Sequence, residues 1–277
     1  MPPILHEVCR GVGRPPGLPS SIAPDPRQER LAELRHAVAR IERKSGSGKP
    51  LLLSLTLPEI HRHLPEPGLA AGVLHEITPA SYADRPAAFG FAFAVLVEAQ
   101  RLRKGPAVFV ATHRALKDFG RPFSHGLHQL GVDPHRLVMI EGRNDKDALW
   151  AMEEALRSDA RPSIVVGANS ANLDLTVSRR LALAAQANGV PLVALRMAGA
   201  EGTNAAATRW RVEAAPAARN AFGALAHAQW RLTLDRCRNG RPGQWLVEWN
   251  HVTHRFCLAE GVADRTPHAG AGLRRAG

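Results

Sequence analysis

The residues that invite a chemical interpretation lie between Gly72 and Leu102, where a short apolar run is followed by a turn and a long apolar segment. This order is typical of a strand, loop and helix that bind phosphate through the backbone N–H groups of the loop. Such a loop reads GxxxxGK[ST], in which the glycines admit the phosphate, the lysine supplies charge and the hydroxyl binds magnesium. The corresponding residues here are Pro79, Ala80, Ser81, Tyr82, Ala83, Asp84 and Arg85.

This loop lacks the side chains that the phosphate-binding motif requires. It contains no glycine and no lysine, and Asp84 brings a negative charge that would repel phosphate. Arg85 could replace the charge of the lysine, but Pro86 after it removes a backbone donor. The loop therefore argues against tight, magnesium-dependent nucleotide binding, and we expect no cofactor and no metal ion.

The elements around the loop alternate between short apolar runs and longer helical patterns. Strands are predicted over 73–78, 107–111, 137–140, 163–166 and 191–196, and helices over 87–102, 145–157 and 172–188, with a further helical segment before residue 130. Strands that alternate with helices of ten or more residues favour a mostly parallel sheet with helices on its faces. The predicted fold class is therefore α/β.

The pattern changes after the fifth of these strands. Residues 197–207 are small and include glycine, which is typical of a mobile loop, and residues 208–214 alternate like a half-buried strand. Residues 230–238 and 244–250 flank a turn that contains glycine and proline, and they predict an antiparallel hairpin. One α/β domain over 50–260, ending in a C-terminal antiparallel β-hairpin, accounts for this pattern.

The ends of the chain differ in composition from this domain. Residues 1–49 predict a flexible, proline-rich leader with an amphipathic helix over Gln28–Lys44 and a linker, and residues 261–277 predict a disordered basic tail. The amphipathic helix could pack on its own domain or bind a partner, and both interpretations stay open.

The chain is basic, since 36 Lys and Arg residues outnumber 25 Asp and Glu residues and give a net charge of +11. Such an excess favours DNA, RNA or an acidic protein as a partner, although arginines spread along the chain also fit a solvated surface. Cys9, Cys237 and Cys257 form no CxxC pair, which favours the cytoplasm. No run of about 18 apolar residues predicts a membrane span.

Several segments of the chain resemble a RecA-type core in the same order. They read LHEI, FVATHRALKDF, LGVDPHRLVMIEG, ALWAMEEALRSD, SIVVGANS, LDLTVSRRLALAA, ATRWRV and RWRLTLDRCRNGRPGQWLVEW. More particularly, the chain from Leu51 to Cys257 resembles the ImuA family of bacterial inducible-mutagenesis proteins. The motifs SRRLALAA, ATRWRV and RPGQWLVEW carry most of this resemblance.

The resemblance to RecA implies three positions that would serve ATP hydrolysis, and the chain departs from all of them. The phosphate loop falls on Pro79 to Arg85. His113 stands about where RecA proteins have a glutamate that orients water, and Gly167 or Ala168 stands where they have an aspartate that supports magnesium. Losing the phosphate loop, the metal support and the water-orienting group together argues against an ATPase.

The resemblance also implies partners. In RecA proteins the loop after the fifth core strand contacts DNA, so Arg209, Trp210 and Arg211 are candidate DNA-binding residues, although strand alternation turns Trp210 inward. The ImuA family is linked to ImuB, to RecA and to an error-prone DnaE-type polymerase in translesion DNA synthesis. The resemblance thus predicts a non-catalytic accessory protein of damage-induced (SOS) mutagenesis.

Two alternatives belong to other functional classes. The first is a divergent, DNA-stimulated ATPase of the RecA class that would use Arg85 in place of the lysine. The second is a cell-division inhibitor of the SulA type, which would bind the division GTPase.

Overall fold

The structure is a computed structural model that describes residues 52–53, 57–168, 173–196, 202–217 and 227–259. The predicted leader of residues 1–49, its amphipathic helix and the predicted tail of residues 261–277 lie outside the described residues. Residues 197–201 of the predicted mobile loop also lie outside them.

The strands and helices alternate as the hydrophobic periodicity predicts. The strands are β1 (Leu52–Leu53), β2 (Leu69–Ala70), β3 (Leu74–Pro79), β4 (Ala107–Thr112), β5 (Leu137–Gly142), β6 (Ile164–Ala168), β7 (Leu192–Leu195), β8 (Thr208–Ala215), β9 (Ala228–Cys237), β10 (Gly243–Asn250) and β11 (Arg255–Leu258). The helices are α1 (Pro58–His61), α2 (Arg85–Leu102), α3 (His113–Phe119), α4 (Ser124–Leu130), α5 (Asp145–Arg157) and α6 (Leu175–Asn188), with a 3₁₀ turn at Pro134–Arg136.

Nine strands form one mixed sheet in the order β11-β10-β9-β8-β3-β7-β6-β4-β5. The six strands from β8 to β5 are parallel to one another, whereas β8, β9, β10 and β11 pair antiparallel. This confirms the α/β prediction and the RecA-like fold that the resemblance implies. The predicted hairpin is β9 and β10, and β11 extends it by a strand that the periodicity did not predict.

Alternation along the central strands divides the core between the two faces of the sheet. Phe109 and Ala111 of β4 pack on the face that carries α2, whereas Val108 and Val110 pack on the face that carries α5 and α6. The helix α2 is apolar on most sides because it also meets the C-terminal strands, where the rings of Phe91 and Trp230 lie 5.7 Å apart. The helices therefore cover both faces of the parallel strands.

The helical segment predicted before residue 130 is two helices. Gly120 ends α3 with φ of 94°, a conformation that favours glycine, and Pro122 lies before the start of α4. The turn between α3 and α4 lets the chain return towards β5.

Candidate functional site at the carboxyl edge of the sheet

The carboxyl ends of β3, β4, β6 and β7 meet at one edge of the parallel sheet, which is where ligands bind in open α/β folds. The loop after β3, the start of α3 after β4, the end of β6 and the residue after β7 all lie here. The edge thus brings together the three positions that the RecA comparison selects.

The loop after β3 is held in a closed conformation by hydrogen bonds within the loop and to β8. The Asp84 carboxylate accepts the Ser81 hydroxyl at 2.5 Å and the Ala214 backbone N–H at 2.9 Å. The Ala80 N–H donates to the Val212 carbonyl at 2.8 Å, which ties the loop to β8 a second time. Asp84 directly precedes α2 and makes no side-chain hydrogen bond to the N–H groups of the helix, but its negative charge lies close to the helix N-terminus, where a nucleotide-binding protein would hold a phosphate.

The charge of Arg85 is directed into the protein. The side chain is only 4% exposed, and Nη1 lies 3.1 Å from a carboxylate oxygen of Asp118 on α3. Its Nε donates to the Tyr82 carbonyl at 3.1 Å, and the guanidinium lies over the Tyr82 ring. Arg85 therefore joins the loop to α3 in this conformation instead of facing a ligand.

The position after β4 carries a surface cluster of charges. His113 Nδ1 lies 2.9 Å from Glu141 at the end of β5, and Arg121 donates to both oxygens of the same carboxylate at 3.0 Å. The hydrogen bonds from Arg121, followed by that from His113, hold the pKa of Glu141 below its usual value. The Glu141 carboxylate thus lies beside the position where RecA proteins have a glutamate. It comes from the neighbouring strand β5, however, and it is already bonded to Arg121 and His113.

The residues at the end of β6 are closely packed and carry no metal ligand. A Cβ on Gly167 would lie 2.4 Å from the sulfur of Met152 on α5, so a side chain there would require the end of the buried Met152 side chain to shift. Ala168 faces the other way and is 1% exposed within the core beside α2. The two residues that could have supported a metal ion serve close packing instead.

A buried carboxylate on β3 joins the two ends of the connection between β7 and β8. Glu76 is fully buried and accepts from Arg196 at 2.5 Å, from Asn204 at 2.8 Å and from Arg209 Nε at 2.9 Å. Arg196 lies directly after β7, whereas Asn204 and Arg209 lie just before and within β8. The sequence sign of this cluster is Glu76 itself, an acidic residue within a predicted buried strand.

The opposite side of β3 carries a chain of neutral hydrogen bonds. Trp210 Nε1 donates to the Thr208 hydroxyl at 2.8 Å, and that hydroxyl lies 2.8 Å from His75 Nδ1. His75 Nε2 lies 2.8 Å from the Ala70 carbonyl, which can only accept, so the proton resides on Nε2 and Nδ1 accepts from Thr208. Burial lowers the pKa of His75 to about 4 and keeps the ring neutral.

The three candidate DNA-binding residues have different environments. Arg209 is bound to Glu76 and to the Gly202 carbonyl, and Arg211 forms a 2.7 Å ion pair with Asp235. Trp210 is 1% exposed, which confirms its inward direction and leaves its ring without a face for a base. DNA binding through Arg209 and Arg211 stays a prediction.

The described residues offer neither a metal site nor a membrane span. Within the described part of the chain, no three His, Cys, Asp or Glu side chains are grouped as metal ligands, and no helix is long and apolar enough to cross a membrane.

Comparison with known proteins gives one kind of match. No protein-family model matches the sequence. Two curated proteins named Protein ImuA, from Caulobacter vibrioides strains NA1000 / CB15N and ATCC 19089 / CIP 103742 / CB 15, are each 34% identical to the chain over 242 residues. The match covers 82% of this chain and 96% of each relative, so it spans nearly the whole of both relatives.

Proposed function

The chain belongs to the ImuA family, and from that premise we propose that it is a non-catalytic, RecA-like accessory protein of damage-induced mutagenesis. Family membership supports the role in the mutagenesis system. The absence of catalysis and the identity of the partners are the parts that we propose. The protein would act in the cytoplasm during translesion DNA synthesis.

The observation that carries this proposal is the closed loop after β3. Asp84 directly precedes α2, and its carboxylate accepts hydrogen bonds from the Ser81 hydroxyl and the Ala214 N–H. Binding a nucleotide phosphate there would place an anion beside this carboxylate, which is electrostatically unfavourable. The ion pair between Arg85 and Asp118 also withdraws the cation that a divergent ATPase would use.

A RecA-like domain without ATPase chemistry can still contact proteins. We propose that the chain binds ImuB, RecA or both, and that it thereby helps to place an error-prone DnaE-type polymerase at a lesion. The net charge of +11 favours acidic partner surfaces and leaves DNA as a further ligand.

The absence of catalysis is tested with the purified chain. We expect no ATP hydrolysis above background, with or without single-stranded DNA, and no rise in the unfolding temperature on adding Mg–ATP. Arg85→Ala serves as the comparison. Hydrolysis, or stabilisation by nucleotide, that is present in the wild type and lost in Arg85→Ala would establish the ATPase alternative instead.

The proposed contacts are tested by gel filtration of the chain with purified ImuB and, separately, with purified RecA. We expect at least one complex to survive salt of roughly 0.5 M, at which the Debye length falls to a few ångströms and purely electrostatic contacts weaken. If neither protein forms a complex, the proposed role through protein contacts is wrong.

A further inference from the structure

The outer surface of α5 and α6 combines exposed apolar side chains with arginines. Leu175 and Leu183 on α6 are 51% and 58% exposed, and Trp150 on α5 is 63% exposed. Leu175, Arg179, Arg180 and Leu183 line a shallow groove of about 360 Å³. We name the surface formed by Trp150, Arg157, Leu175, Arg179, Arg180 and Leu183 the α5–α6 face.

An ion-pair bridge holds the two helices of this face together. Glu153 of α5 lies 2.6 Å from Arg157 on its own helix and 2.9 Å from Arg180 on α6. Trp150 lies one turn before Glu153, and Leu183 lies one turn after Arg180. Trp150 and Leu183 therefore each lie one helical turn from this bridge.

The charge of the face is positive. Arg157 and Arg180 share the single carboxylate of Glu153, and no carboxylate among the described residues lies within ion-pair distance of Arg179. The groove itself is lined by two positive side chains, Arg179 and Arg180, and by no carboxylate. The exposed Glu154 lies one turn after Trp150 on α5 and is not among the residues that line the groove.

We propose that the α5–α6 face is a docking site for an acidic amphipathic segment of a partner protein. Exposed Trp and Arg side chains are typical of the energetic centres of protein interfaces. Leu175 and Leu183 lie eight residues apart, so they offer apolar contacts about 12 Å apart along α6. A partner with apolar side chains two helical turns apart and carboxylates between them would match both the leucines and the arginines.

The charge of the chain itself excludes its own segments as good occupants. Residues 1–51 carry nine basic and five acidic side chains, and residues 261–277 carry three arginines and one aspartate. A second copy carries the same net charge of +11. Nucleic acid would satisfy the arginines but would leave the two leucines without apolar contacts, which favours a protein segment.

This inference rests on the proposed function only in assuming that the protein works through protein contacts. It is tested on the full chain by fluorescence anisotropy, with a labelled synthetic peptide of about 16 residues as the probe. The peptide places leucines on one helical face and glutamates between them. A second peptide has the same composition with the leucine pattern scrambled, and a third probe is a single-stranded oligonucleotide of similar charge.

We expect the patterned peptide to bind at least about tenfold more tightly than the scrambled one, and Arg179→Glu and Leu183→Ser each to weaken it about tenfold. The matched controls are Arg114→Glu on α3 and Val252→Ser, which change exposed side chains elsewhere and should leave binding unchanged. Thermal unfolding of all four variants checks that the fold persists.

Three results would overturn the proposal. They are no binding of the patterned peptide, equal binding of the two peptides, and tighter binding of the oligonucleotide through Arg179. None of these measurements involves ImuB, RecA or ATP, so failure here would leave the proposed function standing, and failure of the proposed ImuB and RecA complexes would leave the peptide result unaffected.

Discussion

Two carboxylates at the carboxyl edge of the sheet have similar partners and opposite surroundings. Glu76 on β3 is bound by Arg196 and Arg209 in the interior, whereas Glu141 on β5 is bound by Arg121 and His113 at the surface. The side chain of Glu76 is 1% exposed, and that of Glu141 is 41% exposed. The same kind of ion pair is therefore formed once in the interior, away from water, and once at the solvent-exposed surface.

The comparison indicates that the burial of an ion pair, more than the identity of its partners, determines how much stability is lost when one charge is removed. Removing one partner of a buried pair leaves the other charge desolvated and uncompensated, whereas water replaces a lost partner at the surface. In this protein Glu76 joins the two ends of the connection between β7 and β8, whereas Glu141 belongs to a surface cluster whose interactions water can replace. The following predictions test that contrast.

The largest effect is expected for Glu76→Ala. The substitution leaves Arg196 buried without its carboxylate and removes the acceptor of Asn204 and Arg209, so we expect a loss of about 3–5 kcal/mol in the free energy of unfolding. Urea denaturation measures it. A loss below about 1 kcal/mol would show that water reaches the cluster and would remove the contrast with Glu141.

The neutral network around His75 predicts a pH dependence. The pKa of His75 is about 4 in the folded state and near 6.5 in the unfolded chain, so the unfolded state binds the proton first as the pH falls. This contribution is fully present above about pH 6.5 and is lost towards about pH 4, by about 3 kcal/mol. Urea denaturation over this range should show a steeper loss for the wild type than for His75→Asn, and parallel curves would contradict the prediction.

A smaller effect is expected for Asp84→Ala in the closed loop. The Ala214 N–H and the Ser81 hydroxyl lose their acceptor, so we expect about 1–3 kcal/mol of destabilisation by urea denaturation. Asp84→Asn keeps an acceptor for Ala214 and should retain most of the stability. If Asp84→Ala is as stable as the wild type, the loop is not held by these bonds.

The smallest effect is expected for Glu141→Ala. Its carboxylate and the Arg121 side chain face water, so solvent replaces their interaction and the unfolding midpoint should stay close to that of the wild type. Thermal unfolding beside Glu76→Ala gives the comparison directly. A loss as large as that of Glu76→Ala would mean that the outer cluster also holds the fold together.

Much of the fold follows from the sequence because buried strands and long helices leave clear periodicities. Short elements do not, and the periodicity gives no sign of β1, β2, α1 or β11. Pro79, which the pattern treats as the end of the strand, is the last residue of β3 and aligns with Val212 of β8. A proline is tolerated there because the first or last residue of a strand need not donate every ladder bond.

The sequence predicts which phosphate-binding residues the site lacks, but it does not predict the hydrogen bonds that the site contains. The missing glycines and lysine of the loop are local, so the sequence shows them. The hydrogen bonds that Ala214 donates to Asp84 and Arg209 donates to Glu76 join residues separated by 130 and 133 positions, which no local pattern reveals. The sequence comparison, by contrast, already places His113 where RecA proteins have a glutamate, and only its pairing with Glu141 required the structure.

The place of β3 in the sheet has a consequence for how the protein is made. Its two neighbours are β7 and β8, whose first paired residues lie 192 − 74 = 118 and 208 − 75 = 133 positions further along the chain. Closing loops of this length costs entropy before any ladder bond repays it, which slows folding of sheets with distant pairings. During synthesis β3 stays unpaired on both edges until more than a hundred further residues have left the ribosome.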